Sequence, residues 1–379
     1  MLYNENIRLV GIMIAIIGLI SCSKNFLEQK PNTTLYVPET LEELRELLDN
    51  EKLINQHTYL DILSADEFYY TDTFASSLRT SERYAYSWSK QVFGEQETVA
   101  DWDIPYQQVN YANQVLNKLQ HITVTPLNQQ LYNTVMGTAL FIRSFAYFNL
   151  LQVFALPYEK NTMPNEWGIP LRMTEDVKER SKRATLQQSY EQIIQDLKTA
   201  TALLPAGVMI YKNRPSAPAA WALLARTYLS MRFYEEAGAA ADSSLRLYDS
   251  LLDFNQLDKQ SESPFVSTNP EILYLSRIDT KVNSQLVGFA SRGCFIDSGL
   301  LAAYSTGDLR RSIFFKAGIG GSIPKNSYVG ERTFSLASQW MNYTSYVVNA
   351  MPGQAEQQQL FRTSIPYFGK GGKPVVLQH

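Results

Sequence analysis

The sequence predicts a mostly α-helical fold: a tetratricopeptide-like scaffold of helix pairs followed by a loop-rich, irregular second half. Three observations carry that expectation. Apolar residues recur at three- and four-residue steps in several stretches between Leu41 and Leu251. One hairpin in that span has the spacing of a helical repeat. Beyond Ser261, Pro, Gly, Ser and Asn become frequent and the apolar runs are short, as in Ile272-Leu273-Tyr274-Leu275 and Tyr346-Val347-Val348. The chain divides accordingly into residues 1–21, a leader; 22–38, a tether; 39–260, the helical region; and 261–379, the irregular region.

The leader reads Arg8, then the uncharged run Leu9 to Ile20, then Ser21 and Cys22. That run is about a dozen residues, the length of a signal-peptide core and short of the roughly 20 that span a bilayer. Leu19-Ile20-Ser21-Cys22 resembles the lipobox of bacterial lipoproteins, which implies acylation of Cys22 once the leader is removed. More than one acyl chain makes such an anchor stable, at about 0.8 kcal/mol per buried CH₂. Ser23 to Pro38 carries Asn, Thr and two prolines and no helical period, as expected of a tether.

Element by element, Thr40 and Glu43 form a capping box, with Leu41, Leu44, Leu47 and Leu48 on one face of a short helix. Asn50 to Val99 has mixed periods and reads as helix plus long loops. Trp102, Tyr106, Val109, Ala112, Asn113, Leu116 and Leu119 define a helix from about Val99 to Ile122. Pro126 restarts a longer one to about Phe154, apolar almost all round and therefore buried on several sides. Glu159 to Lys182 reads as a loop. Thr185 caps the next helix, which Pro205 ends. Ser216 to about Leu251 is a hairpin in which Trp221, Leu224, Ala225, Tyr228 and Ala237 fit the tetratricopeptide pattern. Small Ala225 and Ala237 let the two helices approach, while Ala241 stands where that repeat uses a large aromatic. In the second half, Gly299 to Tyr304 is expected to form a short helix.

Composition narrows the function. Of 379 residues, 45% are hydrophobic and 19% charged, and the net charge is −3. A sizeable core is therefore available, and the basic stripe that a nucleic-acid partner needs is missing. Aromatics make up 12%, with 23 tyrosines. Such rings suit surfaces that stack on sugars, although helix-packing cores use many of them too. With Cys22 lipidated, Cys294 is left alone and is expected to be a small buried residue. His57, His121 and His379 lack metal-ligand spacing, and the two glycine-rich segments, 318–322 and 369–373, do not match a phosphate loop. Neither a catalytic motif nor a metal or cofactor set is found. Asp66-Glu67 is the one carboxylate pair that could be named for hydrolysis, and its plainer reading is a cap at a loop junction.

Several segments together resemble the SusD/RagB-like outer-membrane nutrient-binding lipoproteins of Bacteroidota. They are the start Cys22 to Pro31, Trp102 and Tyr106 through Ala112-Asn113, and Phe141-Ile142-Arg143-Ser144-Phe145-Ala146-Tyr147-Phe148-Asn149-Leu150. The Gly168-Ile169-Pro170-Leu171 turn, the Tyr190–Pro205 helix, the Trp221 hairpin, Asn269-Pro270-Glu271-Ile272-Leu273 and Asp308-Leu309-Arg310 complete the set. The resemblance covers residues 19 to about 315. It implies a lipid-anchored lid on the cell exterior that captures glycan and delivers it to a TonB-dependent, SusC-like channel, without catalysis. Two departures stand out. Lys24 and Asn25 follow the cysteine where surface-exported members often carry acids. The family's final helix pair is also expected beyond Pro374 to His379, so a chain without it would expose an apolar face.

The family does not share its binding residues in sequence, so the ligand contacts are chosen by chemistry. Trp88, Trp340 and Tyr343 are the leading candidates, with Tyr69 and Asp66 beside them, because aromatic faces stack on sugars and amides or carboxylates fix the rim. Trp102, Trp221 and Trp167 are assigned to structure. The competing reading is a periplasm-facing helical-repeat lipoprotein that scaffolds other proteins; a lipid-anchored hydrolase is the third.

Overall fold

The computed structural model describes residues 38–65, 68–94, 99–159, 165–176, 178–261, 264–265, 269–276, 293–318 and 321–324. Its frame is a run of long helices, each packed on the next: α6 (Ala100–Leu119), α7 (Gln129–Phe154), α8 (Leu186–Leu203), α9 (Ala217–Ser230) and α10 (Tyr234–Leu247). Before them come α1 (Leu41–Leu48), α2 (Glu51–Ile54), α3 (Leu60–Leu63), β1 (Phe68–Tyr70), α4 (Asp72–Ser77) and α5 (Thr80–Tyr86). A two-stranded ribbon, β2 (Trp167–Pro170) with β3 (Arg183–Thr185), lies between α7 and α8. After α10 follow a 3₁₀ turn (Phe254–Gln256), β4 (Cys294–Ile296), α11 (Ser298–Ala303), α12 (Leu309–Phe314) and the hairpin β5 (Phe315–Gly318) with β6 (Gly321–Pro324).

The expected caps are present. The Glu43 N–H donates to Thr40 Oγ1 at 3.3 Å and the Thr40 N–H to Glu43 Oε2 at 2.9 Å. Thr185 and Gln188 make the same reciprocal pair at the start of α8. Each box satisfies two backbone donors that a helix start leaves without partners.

Helix α7 is long and apolar enough to cross a membrane, but 83% of its most apolar window is buried inside the protein. It forms the axis of the main core. Phe141, Tyr147 and Leu150 have no exposed surface, and α1, α6, α8 and α9 all contribute side chains around them. Fully burying one such aromatic or leucine stabilises by about 1.5–3 kcal/mol.

An ion pair sits inside this core. Arg143 on α7 donates from Nε and Nη2 to both oxygens of Asp196 on α8, at 2.7 and 2.8 Å. Its Nη1 donates to Asn113 Oδ1 on α6 at 2.9 Å, and Asn113 in turn donates to the carbonyls of Arg172 and Thr174. Three helices and the strand exit after β2 are thereby held in one register. The fork geometry suits a buried pair, because both carboxylate oxygens are satisfied at once.

The Trp221 hairpin packs as its spacing predicts: Ala225 and Ala237 are buried, and Trp221 and Trp102 are half-buried against the main core. Its turn places Arg232 at φ 61. The outer side of α10 presents Glu235, Glu236, Gly238 and Asp242, a polar face toward solvent. Ile272 to Leu275 forms no strand. It is a buried strap, with Tyr274 edge-on to Phe141 and Phe145 at 4.9 and 5.6 Å, held by Asn55 Nδ2 on the Asn213 and Leu275 carbonyls. This strap is thus one place where the second half attaches to the stack.

A second core draws on both sides of position 260. It joins Tyr59, Leu60, Leu63, Phe68, Tyr70 and Phe74 to Phe265, Cys294, Ile296, Tyr304, Phe314 and Phe315.

Candidate functional site

The second core carries an antiparallel pair, β1 with β4, in the register Phe68↔Ile296, Tyr69↔Phe295 and Tyr70↔Cys294. Side chains alternate faces along a strand. Phe68, Tyr70, Cys294 and Ile296 therefore all point inward and are buried. Tyr69 and Phe295 share the other face, with ring centroids 5.7 Å apart and planes inclined by 37°. Tyr69 keeps 42% of its surface exposed. The result is a two-ring aromatic platform on a short ribbon, backed by packed rings: Tyr70 lies 5.0 Å from Phe74 and 4.7 Å from Tyr86.

The ribbon is closed at the Tyr70 end by backbone. The Thr71 N–H donates to Gly293 O at 2.7 Å. Gly293 has φ +101, and a Cβ there would stand 2.2 Å from Thr71 Oγ1, so the position accepts only glycine without rearrangement. Tyr86 supports the strand as well, its hydroxyl accepting the Tyr70 N–H at 3.0 Å.

Trp88 lies two residues beyond Tyr86. It is half-buried, has φ 52, and donates from its indole Nε1–H to Ser64 O at 2.7 Å. Tyr84 nearby is 36% exposed, with the Arg83 guanidinium 5.6 Å from its ring centre. Of the residues chosen from sequence, the structure therefore brings Tyr69 and Trp88 to one region. Asp66, Trp340 and Tyr343, and the lipidation site Cys22, lie outside the described residues. Phe295 was not foreseen. The signal was there: Cys294-Phe295-Ile296 alternates as Phe68-Tyr69-Tyr70 does, but two three-residue runs so distant in sequence do not announce their pairing.

Several titratable groups are buried. Asp101, in the first turn of α6, accepts the Tyr59 and Leu60 N–H groups on Oδ1 at 2.6 and 3.0 Å, while its Oδ2 is buried without a hydrogen-bond partner. Burial pushes its carboxyl up to about 7, and the backbone hydrogen bonds oppose that shift only in part. His57 is pushed down to about 4, again chiefly by burial. The Arg226 guanidinium, 5.1 Å from the Phe148 ring centre, is pushed down by burial and supported by the charge of Asp61. Burial raises the Cys294 thiol far above its ordinary value, so it is neutral, small and apolar as expected. Among the described residues, no group of three or more His, Cys, Asp or Glu side chains is placed to hold a metal ion.

Further aromatic and aliphatic side chains reach solvent away from the ribbon, Leu127, Trp167, Ile210, Tyr211 and Leu251 among them. Trp167 is 62% exposed, which differs from its assignment to structure. The reason is local: Gly168 and Ile169 turn inward against α8, where a Cβ on Gly168 would meet Ser189 Oγ at 2.2 Å, and Trp167 is left facing out. Ile210 and Tyr211, in the α8–α9 connection, are 88% and 65% exposed.

Comparison with known proteins places this geometry. The profile of the SusD-like family, described as starch-binding and associating with the outer membrane, matches residues 25–229. Among solved structures, the chain is similar to a candidate sugar-binding protein of Bacteroides vulgatus, with TM-score 0.66, 19% identity, and 83% of this chain and 74% of that one covered. It is also similar to a SusD-like carbohydrate-binding protein of the same species, with TM-score 0.62, 16% identity, and 90% and 78% coverage. A SusD superfamily protein, again from Bacteroides vulgatus, gives TM-score 0.63 at 17% identity, covering 79% and 72%. At these identities the likeness is one of fold. No curated protein matches.

Proposed function

Because the chain belongs to the SusD-like family, described as starch-binding and associating with the outer membrane, we propose that it is a lipid-anchored glycan-capture protein. In this reading Cys22 carries the anchor, the protein faces the cell exterior, and captured oligo- or polysaccharide passes to a TonB-dependent channel beside it. Binding, not catalysis, is the work. The observation that carries the reading is the Tyr69–Phe295 pair: two rings on the outer face of a ribbon whose inner face already fills the core. An exposed Tyr69 ring with the half-buried Phe295 ring beside it stands outside the core of the ribbon, and sugar C–H faces stack on such surfaces. The exposed Ile210 and Tyr211 support a protein-contact role for the helical stack, where the channel would dock.

Native gels cast with amylopectin test the platform. Wild-type protein is expected to be retarded, and Y69A and F295A each to lose about tenfold in affinity, the scale of one lost stacking contact. Equal retardation of all three would remove the platform from the site. Purification of the tagged, lipidated protein from detergent-solubilised outer membranes is expected to bring a large β-barrel channel with it; its absence would favour the periplasm-facing scaffold.

A further inference from the structure

We propose that Trp88 is a positioning residue: together with Tyr86 it holds the Ser64 carbonyl and the Tyr70 N–H, two points on either side of Tyr69 in the chain, and so fixes the attitude of the Tyr69 ring. The inference rests on the platform reading and goes beyond it by assigning Trp88 a role other than sugar contact.

The geometry is a two-point grip. Ser64 ends α3, where its N–H donates to Leu60 O at 3.1 Å and its hydroxyl to the same carbonyl at 2.8 Å. Its own carbonyl is one of those a helix end leaves without an intrahelical partner. The Trp88 indole supplies that partner at 2.7 Å. At the other end, Tyr86 accepts the Tyr70 N–H. The two grips come from residues two apart at the end of α5, and Tyr69 lies between the two held points.

The backbone of Trp88 gives the second observation. Ser89 N–H donates to Tyr84 O at 2.8 Å and Trp88 N–H to Ala85 O at 3.1 Å. These are the two bonds of a Schellman cap, and Trp88 occupies its left-handed position at φ 52. Glycine is the usual residue there; a bulky aromatic is costly. A tryptophan held in a glycine position is retained by what its side chain does, and here the indole N–H reaches across to Ser64. Strain that persists in this way is a pointer to function.

Two substitutions separate the ring, the N–H and the cap. W88F keeps the ring and the strained cap but loses the donor. W88G relieves the strain and loses both ring and donor. The proposal expects amide exchange of Tyr70 and Thr71 to accelerate about fivefold or more in both, the equivalent of one hydrogen bond. Helical circular dichroism is expected to stay unchanged. Affinity for amylopectin, read by gel retardation, is expected to fall about three- to tenfold in W88F. Unchanged exchange in both variants would overturn the clamp. Faster exchange with wild-type retardation in W88F, while Y69A loses retardation, would overturn the positioning role and leave the platform intact. Wild-type retardation in Y69A would remove the platform, and the positioning role with it. If amylopectin does not retard the wild type, the exchange arm decides the clamp by itself.

Discussion

The helical stack and the aromatic ribbon are built in opposite ways. The stack takes most of its core from helices that follow one another in sequence, α6 through α10, each leaning on its neighbour. The ribbon joins residues 68–70 to residues 294–296, and its core mixes residues from both halves of the chain. Local construction gives a rigid frame with many redundant contacts. Long-range construction gives a surface whose shape depends on a few closures: Gly293, Tyr86, Trp88 and the Asp101 oxygen. In this protein the frame holds the larger buried core, and the ribbon displays the Tyr69–Phe295 ring pair.

The largest effect should come from breaking the frame at the buried Arg143–Asp196 pair. R143A would leave Asp196 buried opposite no cation, and Asn113 without its donor. A loss of about 3–5 kcal/mol in urea unfolding is expected. A loss below about 1 kcal/mol would mean that water or a rearranged Gln192, which already donates to Asp196 at 2.9 Å, replaces the guanidinium.

A smaller effect, confined to the other region, should follow G293A. The new Cβ requires φ +101 of an L-residue and meets Thr71 Oγ1, the atom that accepts the Phe74 N–H to cap α4. Backbone strain of about 1–2 kcal/mol and a lost cap of about 1 kcal/mol give roughly 2–3 kcal/mol. Amide exchange should report it in residues 68–75 while α6 to α9 keep their protection. Equal loosening of both regions would break the comparison, because the ribbon would then be part of the same cooperative unit as the stack.

That contrast also explains what the sequence made legible. Helix α8 can be read from Thr185, the Ile193–Leu197–Ala200 spacing and Pro205, because each signal acts within a few residues. The Trp221 hairpin is legible for the same reason. Asp101 is one of two acids in the first turn of α6, and nothing local in the sequence says that its oxygen caps the start of α3 across a core. Phe295 was hidden because a three-residue strand is too short to show a period. Trp167 was misjudged because a tryptophan before a Gly-Ile-Pro turn looks like a packing residue, while the close approach of Gly168 to α8 is what sends it outward. Of the five candidate contacts, Tyr69 and Trp88 fall in one region, and the two are distinguished by burial and hydrogen bonding that no spacing encodes.

The smallest effect sharpens the comparison at the junction of the two regions. Asp101 belongs to the stack, and the groups it caps belong to the ribbon's core. The charged groups near it are Asp61 on α3; Glu82, which accepts from the Tyr59 hydroxyl at 3.4 Å; Arg79, whose charge acts on Tyr59; and, through Asp61, Arg226, whose charge in turn acts on His57. With its carboxyl raised from 3.8 to about 7, the folded protein binds a proton that the unfolded chain has released. Its stabilising contribution is therefore complete below about pH 4 and is lost as pH rises through about 7. Between pH 5 and 8 that loss amounts to roughly 2 kcal/mol. His57 works against it. Its folded value near 4 lies below 6.5, so its contribution grows as pH rises from about 4 to 6.5 and is flat above. In the wild type the two slopes partly cancel below pH 6.5, and only the Asp101 loss remains above it. D101N keeps an oxygen for the Tyr59 and Leu60 N–H groups and removes the titration. Its urea-unfolding free energy should rise between pH 4 and 6.5 and then level off, and the wild-type-minus-variant difference should fall steadily from pH 5 to 8. Parallel curves for the two proteins would show that Asp101 is ionised throughout, with its buried Oδ2 satisfied by a group that the geometry does not place there.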